Sequence, residues 1–142
     1  MFMLSGLPGC GKSTFRAKLF NNHNEFASVI SRDELIEYIA DEFEFTYSEM
    51  FNLAPKLIDA IFDKNIKELN NTSLDDFHVI WDMTNLTKKS RKRHMDKLSI
   101  KFDKKICIQY TPMPRSEVKE RLDGRVGKDI SEEIYSTMFN WF

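Results

Sequence analysis

The chain has 142 residues, of which 42% are hydrophobic and 30% are charged, and its formal net charge is −1. This composition excludes a disordered chain, and no apolar run approaches the length of a membrane-spanning helix. The near-neutral charge excludes recognition of nucleic acid through a global basic field, so any such signal must be local. At this length we expect one domain, 1–142, with one hydrophobic core and no membrane partner.

The predicted elements alternate between strands and helices. Apolar runs of four to six residues predict strands, and apolar positions at helical spacing predict helices. Pro55 either kinks the third helix or marks its first turn. The expected strands are 2–5, 26–31, 77–82 and 105–110, and the expected helices are 13–22, 32–43, 48–69, 88–102 after a Thr87 cap, one from near Arg115, and one from Ser131 to Phe142. This order predicts an α/β fold with a doubly wound central parallel sheet of about four strands flanked by helices.

The stretch GLPGCGKST, residues 6–14, matches the phosphate-loop pattern G-x4-G-K-[ST], with the required strand before it and helix after it. Its glycines let backbone N–H groups surround phosphate oxygens at a helix N-terminus. In such a loop Lys12 reaches the β and γ phosphates and the Ser13 hydroxyl binds Mg²⁺. We therefore expect ATP or another nucleoside triphosphate, with Mg²⁺. The expected nucleotide contacts are Gly9, Cys10, Gly11, Lys12, Ser13 and Thr14.

Two carboxylates follow strands that the fold places near this loop. Asp33 comes directly after the second strand, where it can accept a proton from an attacking hydroxyl. Asp82 ends the third strand, at the sheet edge where α/β proteins bind ligands, and can orient Mg²⁺ directly or through water. The alternatives are structural: Asp33 as a charge at a helix N-terminus and Asp82 as a capping carboxylate.

A third cluster of charge lies near the C-terminus. Arg121 and Arg125 are four residues apart, so a helix would place both on one face. Gly124 and Gly127 flank Arg125 and suggest a segment that closes, a C-terminal helical lid whose arginines neutralise charge on the transferred phosphoryl group. The alternative is a solvated helix face.

Two further segments have a functional and a structural interpretation. The basic run KKSRKRH, residues 88–94, is either a contact for a phosphate backbone or a solvated helix surface. The run FEFTY, residues 43–47, either stacks on a base or packs in the core. The two cysteines, Cys10 and Cys107, are too few for a disulfide framework. Together with an apolar start too short for a signal peptide, they favour a cytoplasmic protein with free thiols.

With these residues in hand, the chain resembles the kinase domain of the phage-type and bacterial polynucleotide 5′-kinases, which have a P-loop kinase fold. The resemblance covers most of the chain. It is carried by GLPGCGKSTF, SRDELIEYI, WDMTNLTKKSRKRHMDKL and ERLDGRVGKDISEEIYSTMFNWF. The loop segment is generic, whereas the Asp-x-Thr-Asn segment combined with the two spaced arginines is more specific.

The resemblance implies ATP-dependent phosphorylation of a 5′-hydroxyl end on DNA or RNA. It implies Lys12, Asp33, Asp82, Arg121 and Arg125 as catalytic residues, with Ser13 and Asp82 at Mg²⁺ and Arg121 also on the nucleotide. It implies substrate binding by Arg32, Asp33, Thr84 and Asn85. The chain departs from the family in carrying Ile36 where an arginine commonly contacts the acceptor strand, and in lacking the Asp-x-Asp-Gly-Thr motif of the phage phosphatase domain.

Two other functions remain open from the sequence. A small-molecule kinase for a sugar, nucleoside or nucleotide would use the same loop and the same aspartate, although DMTNL stands where shikimate-type kinases carry a glycine-rich stretch. A nucleotide-gated binding module would bind ATP and transfer nothing to any hydroxyl.

Overall fold

Four short parallel strands form the centre of the protein in the computed structural model, which describes residues 1–22, 27–72, 78–111, 113–125, 127–128 and 130–141. The strands are β1 (Phe2–Ser5), β2 (Ala27–Ile30), β3 (His78–Asp82) and β4 (Ile106–Gln109), in the order β2-β3-β1-β4. The register pairs Leu4 of β1 with Asp82 and with Ile108. Because the strands are parallel, the segments after β1, β2 and β3 meet at one edge of the sheet.

Seven helices in the described part of the chain flank this sheet, which confirms the predicted fold class. They are α1 (Lys12–Asn22), α2 (Arg32–Glu42), α3 (Tyr47–Leu53), α4 (Pro55–Asn70), α5 (Lys88–Asp96), α6 (Arg115–Asp123) and α7 (Glu132–Asn140). The predicted Thr87 cap is present, since its hydroxyl accepts from Ser90 N. Ser131, the predicted start of the last helix, also caps it by accepting from Ile134 N. Three residues at the ends of predicted elements lie outside the described residues: Phe26, Phe77 and Phe142.

The prediction of one helix over 48–69 is wrong, because α3 and α4 are separate helices. Pro55 is the first residue of α4, and Ala54 before it has φ −133° and ψ 44°. Proline disfavours the α conformation of the preceding residue, so α3 ends there. Thr46 begins α3 with a capping box to Glu49, a start signal that the apolar spacing did not include.

The predicted helix over 88–102 is too long, since α5 ends at Asp96. The side chain of Asn70 explains the early end. Its amide nitrogen donates to the Lys97 carbonyl at 2.9 Å, and its oxygen accepts from Ser99 N at 2.9 Å. These bonds satisfy backbone groups that another helical turn would have used.

The hydrophobic residues form three clusters. One joins the sheet to α4 through Trp81 and Phe62, whose rings meet edge to face at 6.4 Å. A second joins α2, α3 and α4 around the fully buried Ile36 and Ile58. The third packs Leu7 of the segment after β1 against Val118 of α6 and Tyr135 of α7. This last contact places the two C-terminal helices beside the phosphate loop.

None of the helices in the described ranges has the length and apolar character needed to cross a membrane.

Candidate nucleotide and acceptor site

The segment between β1 and α1 has the backbone that a phosphate loop requires. Gly9 and Gly11 have φ of +81° and +93°, a region that L side chains rarely adopt. Gly6 is required for a different reason, because a Cβ there would lie 2.7 Å from Cys10 Sγ and 2.9 Å from Tyr110 Cβ. Lys12 Nζ donates to the carbonyls of Gly6 and Leu7, both at 2.9 Å, so its ammonium lies over the loop.

A cleft of about 1270 Å³ opens above this loop. It brings together residues from the loop, the start of α2, α3, the end of β3, and the segment from α6 to α7. The sequence-predicted residues that line it are Gly9, Gly11, Lys12, Ser13, Thr14, Arg32, Asp33, Asp82, Thr84, Arg121 and Arg125. Residues far apart in sequence therefore share one cleft with the phosphate loop.

Asp33 lies in the first turn of α2, with its carboxylate facing the cleft. Tyr47 Oη donates to Asp33 Oδ1 at 2.9 Å, and Lys128 Nζ donates to Asp33 Oδ2 at 3.1 Å. Burial by itself would raise the pKa of Asp33, but the Lys128 ammonium and the hydrogen bonds from Lys128 and Tyr47 outweigh it and hold this pKa below its ordinary value. The pKa of Tyr47 is raised, because burial and the negative charge of the Asp33 carboxylate both disfavour the phenolate. Asp33 is therefore ionised and able to accept a proton.

Asp82 is much less exposed than Asp33 and has a cationic partner. Arg16 of α1 donates to Asp82 Oδ2 at 3.1 Å and also pairs with Glu34 of α2. Burial raises the pKa of Asp82, while the Arg16 and Lys12 cations oppose that shift. The carboxylate thus lines the cleft and is held by Arg16 of α1.

Arg121 and Arg125 both line the cleft, although they do not share a helix face. The α6 helix ends at Asp123, and Arg125 follows in a turn in which its N–H donates to the Leu122 carbonyl at 3.0 Å. Arg121 therefore lies on α6, and Arg125 lies in the glycine-flanked segment that follows it. Arg121 donates to the Gly9 carbonyl at 3.1 Å and to Glu117 at 2.9 Å, which ties α6 to the phosphate loop.

Four predicted site residues make contacts within the protein or are buried in it. Asn85 is 1% exposed with φ +46°, and its side chain bonds to the Leu4 carbonyl and to His94 Nδ1, so the structure does not bring it to the cleft. Cys10 is buried beneath the loop. Arg32 pairs with Asp59 and lies over the Phe51 ring, at the cleft wall. The Thr84 carbonyl accepts from Gly6 N at 2.9 Å, which fixes the loop start to the end of β3.

In the basic run on α5 the exposed side chains are Lys88, Lys89, Lys92 and Arg93. Arg91 donates to the carbonyls of Asn85 and Leu86, and His94 is buried. Among the described residues, those lining the cleft do not include any from α5. Any contact of this run with an acceptor is therefore away from the phosphate loop.

Several cleft residues were not predicted as site residues. Lys128, which follows the glycine-flanked Arg125, contacts Asp33 and Glu37, and Arg16 holds Asp82 from α1. The i, i+4 spacing of Lys12 and Arg16 was a usable signal, because it places both on one face of α1. Tyr47 was considered only as a stacking or core residue, and its bond to Asp33 joins segments 14 residues apart.

The residues present fit a Mg²⁺ ion that arrives with a nucleotide. Ser13 at the start of α1 and Asp82 at the end of β3 both line the cleft and offer hard oxygen donors. The described residues contain no cluster of three or more carboxylate, histidine or cysteine side chains that could form an all-protein cation site. A shared site, with phosphate and water supplying the other ligands, matches how proteins commonly bind Mg²⁺.

Comparison with known proteins places this geometry in a family. The profile of the AAA_33 family, described as an AAA domain, matches residues 1–142. No curated protein matches the sequence. A chain of the Pnkp1/Rnl/Hen1 RNA repair complex is similar at 23% identity and a TM-score of 0.68, covering 99% of this chain and 42% of that chain. A gluconokinase from Sinorhizobium meliloti 1021 is similar at 12% identity and a TM-score of 0.55, covering 99% of this chain and 73% of that one.

At these identities the two solved structures show a shared fold. This chain spans less than half the length of the RNA repair chain that it resembles. The family match, together with the loop geometry, establishes a P-loop domain of the nucleotide-binding type.

Proposed function

We propose that this chain, a member of the AAA_33 family of AAA domains, is an ATP-dependent kinase that phosphorylates the 5′-hydroxyl end of DNA or RNA. One observation carries the proposal: the ionised carboxylate of Asp33 shares a single cleft with Lys12 of the phosphate loop and with Arg121 and Arg125. A base, a phosphate cradle and neighbouring cations are the parts that phosphoryl transfer requires.

The chemistry follows from the roles of these side chains. Asp33 accepts the proton of the acceptor hydroxyl while the acceptor oxygen forms a bond to the γ-phosphorus and the bond from phosphorus to the β–γ bridging oxygen breaks. Lys12 and the loop N–H groups bind the phosphates, and Arg121 and Arg125 offset the charge on the transferred group. Mg²⁺, when bound by Ser13 and Asp82, neutralises phosphate charge. Product ADP leaves, and Asp33 returns its proton to water.

The polynucleotide acceptor is supported by the sequence resemblance of the Asp-x-Thr-Asn segment and by the similarity of fold to a chain of an RNA repair complex. The part of the cleft beside Asp33, where an acceptor would enter, is lined by Arg32, Tyr47, Ser48, Phe51 and Asn52. A strand end entering from this side would place its terminal hydroxyl next to Asp33.

A small-molecule hydroxyl is the second candidate, and Ile36 favours it. In the resembled family this position commonly carries an arginine that contacts the acceptor strand, whereas here Ile36 is fully buried among Ile39, Met50 and Ile58. It therefore makes no contact with a phosphate in the cleft. The gluconokinase similarity gives one acceptor class to test.

Label transfer from γ-labelled ATP separates these candidates. Purified protein with Mg²⁺ is mixed, in separate reactions, with 5′-hydroxyl DNA, 5′-hydroxyl RNA, the same strands carrying a 5′-phosphate, a nucleoside, and gluconate. We expect label only on the 5′-hydroxyl strands. Label on gluconate or on the nucleoside alone would replace the proposed acceptor with a small molecule, and ATP binding without transfer would support a binding module.

A further inference from the structure

Lys128 lines the cleft, and the proposed reaction does not yet use its contacts. Its ammonium donates to Asp33 Oδ2 at 3.1 Å and to Glu37 Oε1 at 2.9 Å, and it lies 4.1 Å from the centroid of the Tyr47 ring. The side chain is only 10% exposed, whereas its two carboxylate partners are 61% and 53% exposed. The lysine is thus enclosed by the groups that it contacts.

The residue before Lys128 is also held by contacts with neighbouring residues. The Gly127 carbonyl accepts from Ser48 N at 3.1 Å, which attaches this segment to the first turn of α3. Gly127 has φ +74°, and a Cβ there would lie 3.3 Å from Thr46 Cβ. Glycine is therefore required both by conformation and by the close approach to α3. This attachment directs the next residue, Lys128, toward α2.

Asp33 receives one donor on each carboxylate oxygen, and the two donors come from different elements. Tyr47 of α3 reaches Oδ1 and Lys128 reaches Oδ2. Each oxygen still has a free lone pair for an incoming hydroxyl. Glu37, one turn along α2, holds the same ammonium independently of Asp33. The lysine therefore stays in place when Asp33 accepts a proton and loses its charge.

We propose that Lys128 is a positioning residue for the base, which holds the Asp33 carboxylate in its orientation and keeps it ionised. This inference rests on the proposed function only in taking Asp33 as the base. The contact of Gly127 with α3 and the bond to Glu37 hold Lys128 where it can do both.

The electrostatic part can be tested because the surroundings of Asp33 are defined. The charged and titratable groups that act on Asp33 are Lys128, Tyr47, Lys12 and Asp82, while Arg32 and Glu37 act on its partner Tyr47. Lys128→Met keeps the aliphatic stem and removes the cation that lowers the pKa of Asp33, so this pKa rises relative to the parent protein. Lys128→Arg keeps the charge. Lys119→Met removes a charge from the exposed surface of α6 and is the matched control.

The first measurement uses no substrate. The carboxyl carbon of Asp33, assigned with Asp33→Asn, is titrated by NMR in the parent protein and the three variants. We expect its titration to move to higher pH in Lys128→Met and to stay near the parent value in Lys128→Arg and Lys119→Met. An unchanged titration in Lys128→Met would overturn the proposal, because Lys128 would then not act through Asp33.

The second measurement is the pH profile of phosphoryl transfer, with ATP affinity measured alongside. In Lys128→Met we expect the acid limb of kcat/KM to move to higher pH, kcat on its plateau to fall about tenfold from lost orientation, and ATP affinity to stay unchanged. A fall in kcat with an unmoved acid limb would also overturn the proposal. A shifted NMR titration in a protein that phosphorylates no oligonucleotide would refute the proposed acceptor and still support the action of Lys128 on Asp33.

Discussion

Replacing Arg16 with methionine tests how the cleft holds its buried carboxylate. Arg16 Nη1 lies 3.1 Å from Asp82 Oδ2, and the side chains are 16% and 6% exposed. Methionine keeps most of the apolar stem and removes the charge, so the variant leaves Asp82 buried without its main cationic partner. The Lys12 ammonium still attracts it from the loop side.

The size of the effect follows from this burial. Breaking a fully buried ion pair costs about 3–5 kcal/mol, and the partial exposure of Arg16 together with the remaining Lys12 charge reduces our expectation to about 2–3 kcal/mol. For a chain of this length that loss corresponds to a fall in Tm of about 8 °C. Burial already raises the pKa of Asp82 above its ordinary 3.8, and the loss of Arg16 raises this pKa further.

The sign of the pH dependence follows from that shift. Because the folded state binds the Asp82 proton more tightly than the unfolded state does, protonation favours folding. The contribution of this group is full below pH 3.8 and declines as pH rises through the folded pKa. The penalty of Arg16→Met is therefore larger at pH 7 than at pH 5.

Thermal unfolding of the parent protein, Arg16→Met, Asp82→Asn and the double variant at both pH values measures this coupling. We expect Asp82→Asn to recover most of the stability that Arg16→Met loses, because it removes the unpaired charge. A double variant as unstable as Arg16→Met, or a penalty equal at pH 5 and pH 7, would refute the reasoning.

Three other outcomes are expected. Lys12→Ala nearly abolishes transfer with little change in Tm, since the loop start is also held by the bond from Gly6 N to the Thr84 carbonyl; an active variant would contradict this. Lys89→Ala changes KM for the acceptor strand and its salt dependence and leaves kcat unchanged, because Lys89 is exposed on α5; measuring KM at two salt concentrations checks it. His94, whose pKa burial lowers to about 4, favours the folded state when neutral. This contribution to the free energy of folding is lost as the pH falls from 6.5 toward 4, and the loss at pH 5 is about 2 kcal/mol. Urea unfolding of His94→Gln should show a smaller acid loss than the parent.

The sequence predicted the fold well because its signals were local. The glycine pattern before Lys12, the caps at Thr87 and Ser131, and the apolar strand runs each depend on neighbouring residues. The errors occur where another residue overrides the local apolar pattern. Pro55 divides a helix that its apolar spacing continues, and Asn70 ends α5 from another helix.

The site was harder to predict because its contacts cross the fold. Lys128 and Asp33 are 95 residues apart, and Arg16 and Asp82 are 66 apart. No spacing rule connects such pairs; only the order of strands in the sheet brings them together. Asn85 shows the opposite error, since a residue that fits a functional motif serves to join β1 to α5.

The rate of phosphoryl transfer in Asp33→Asn, with ATP affinity measured in the same samples, tests the central claim most directly. Asparagine keeps the shape of the side chain and part of its bonding to the neighbouring donors, but it cannot take up the hydroxyl proton. If Asp33 is the base, single-turnover transfer to a 5′-hydroxyl strand falls by about 10²–10⁴-fold while ATP binds as in the parent protein. Transfer at a near-parent rate would contradict the account and leave Asp33 as a charge at the start of α2.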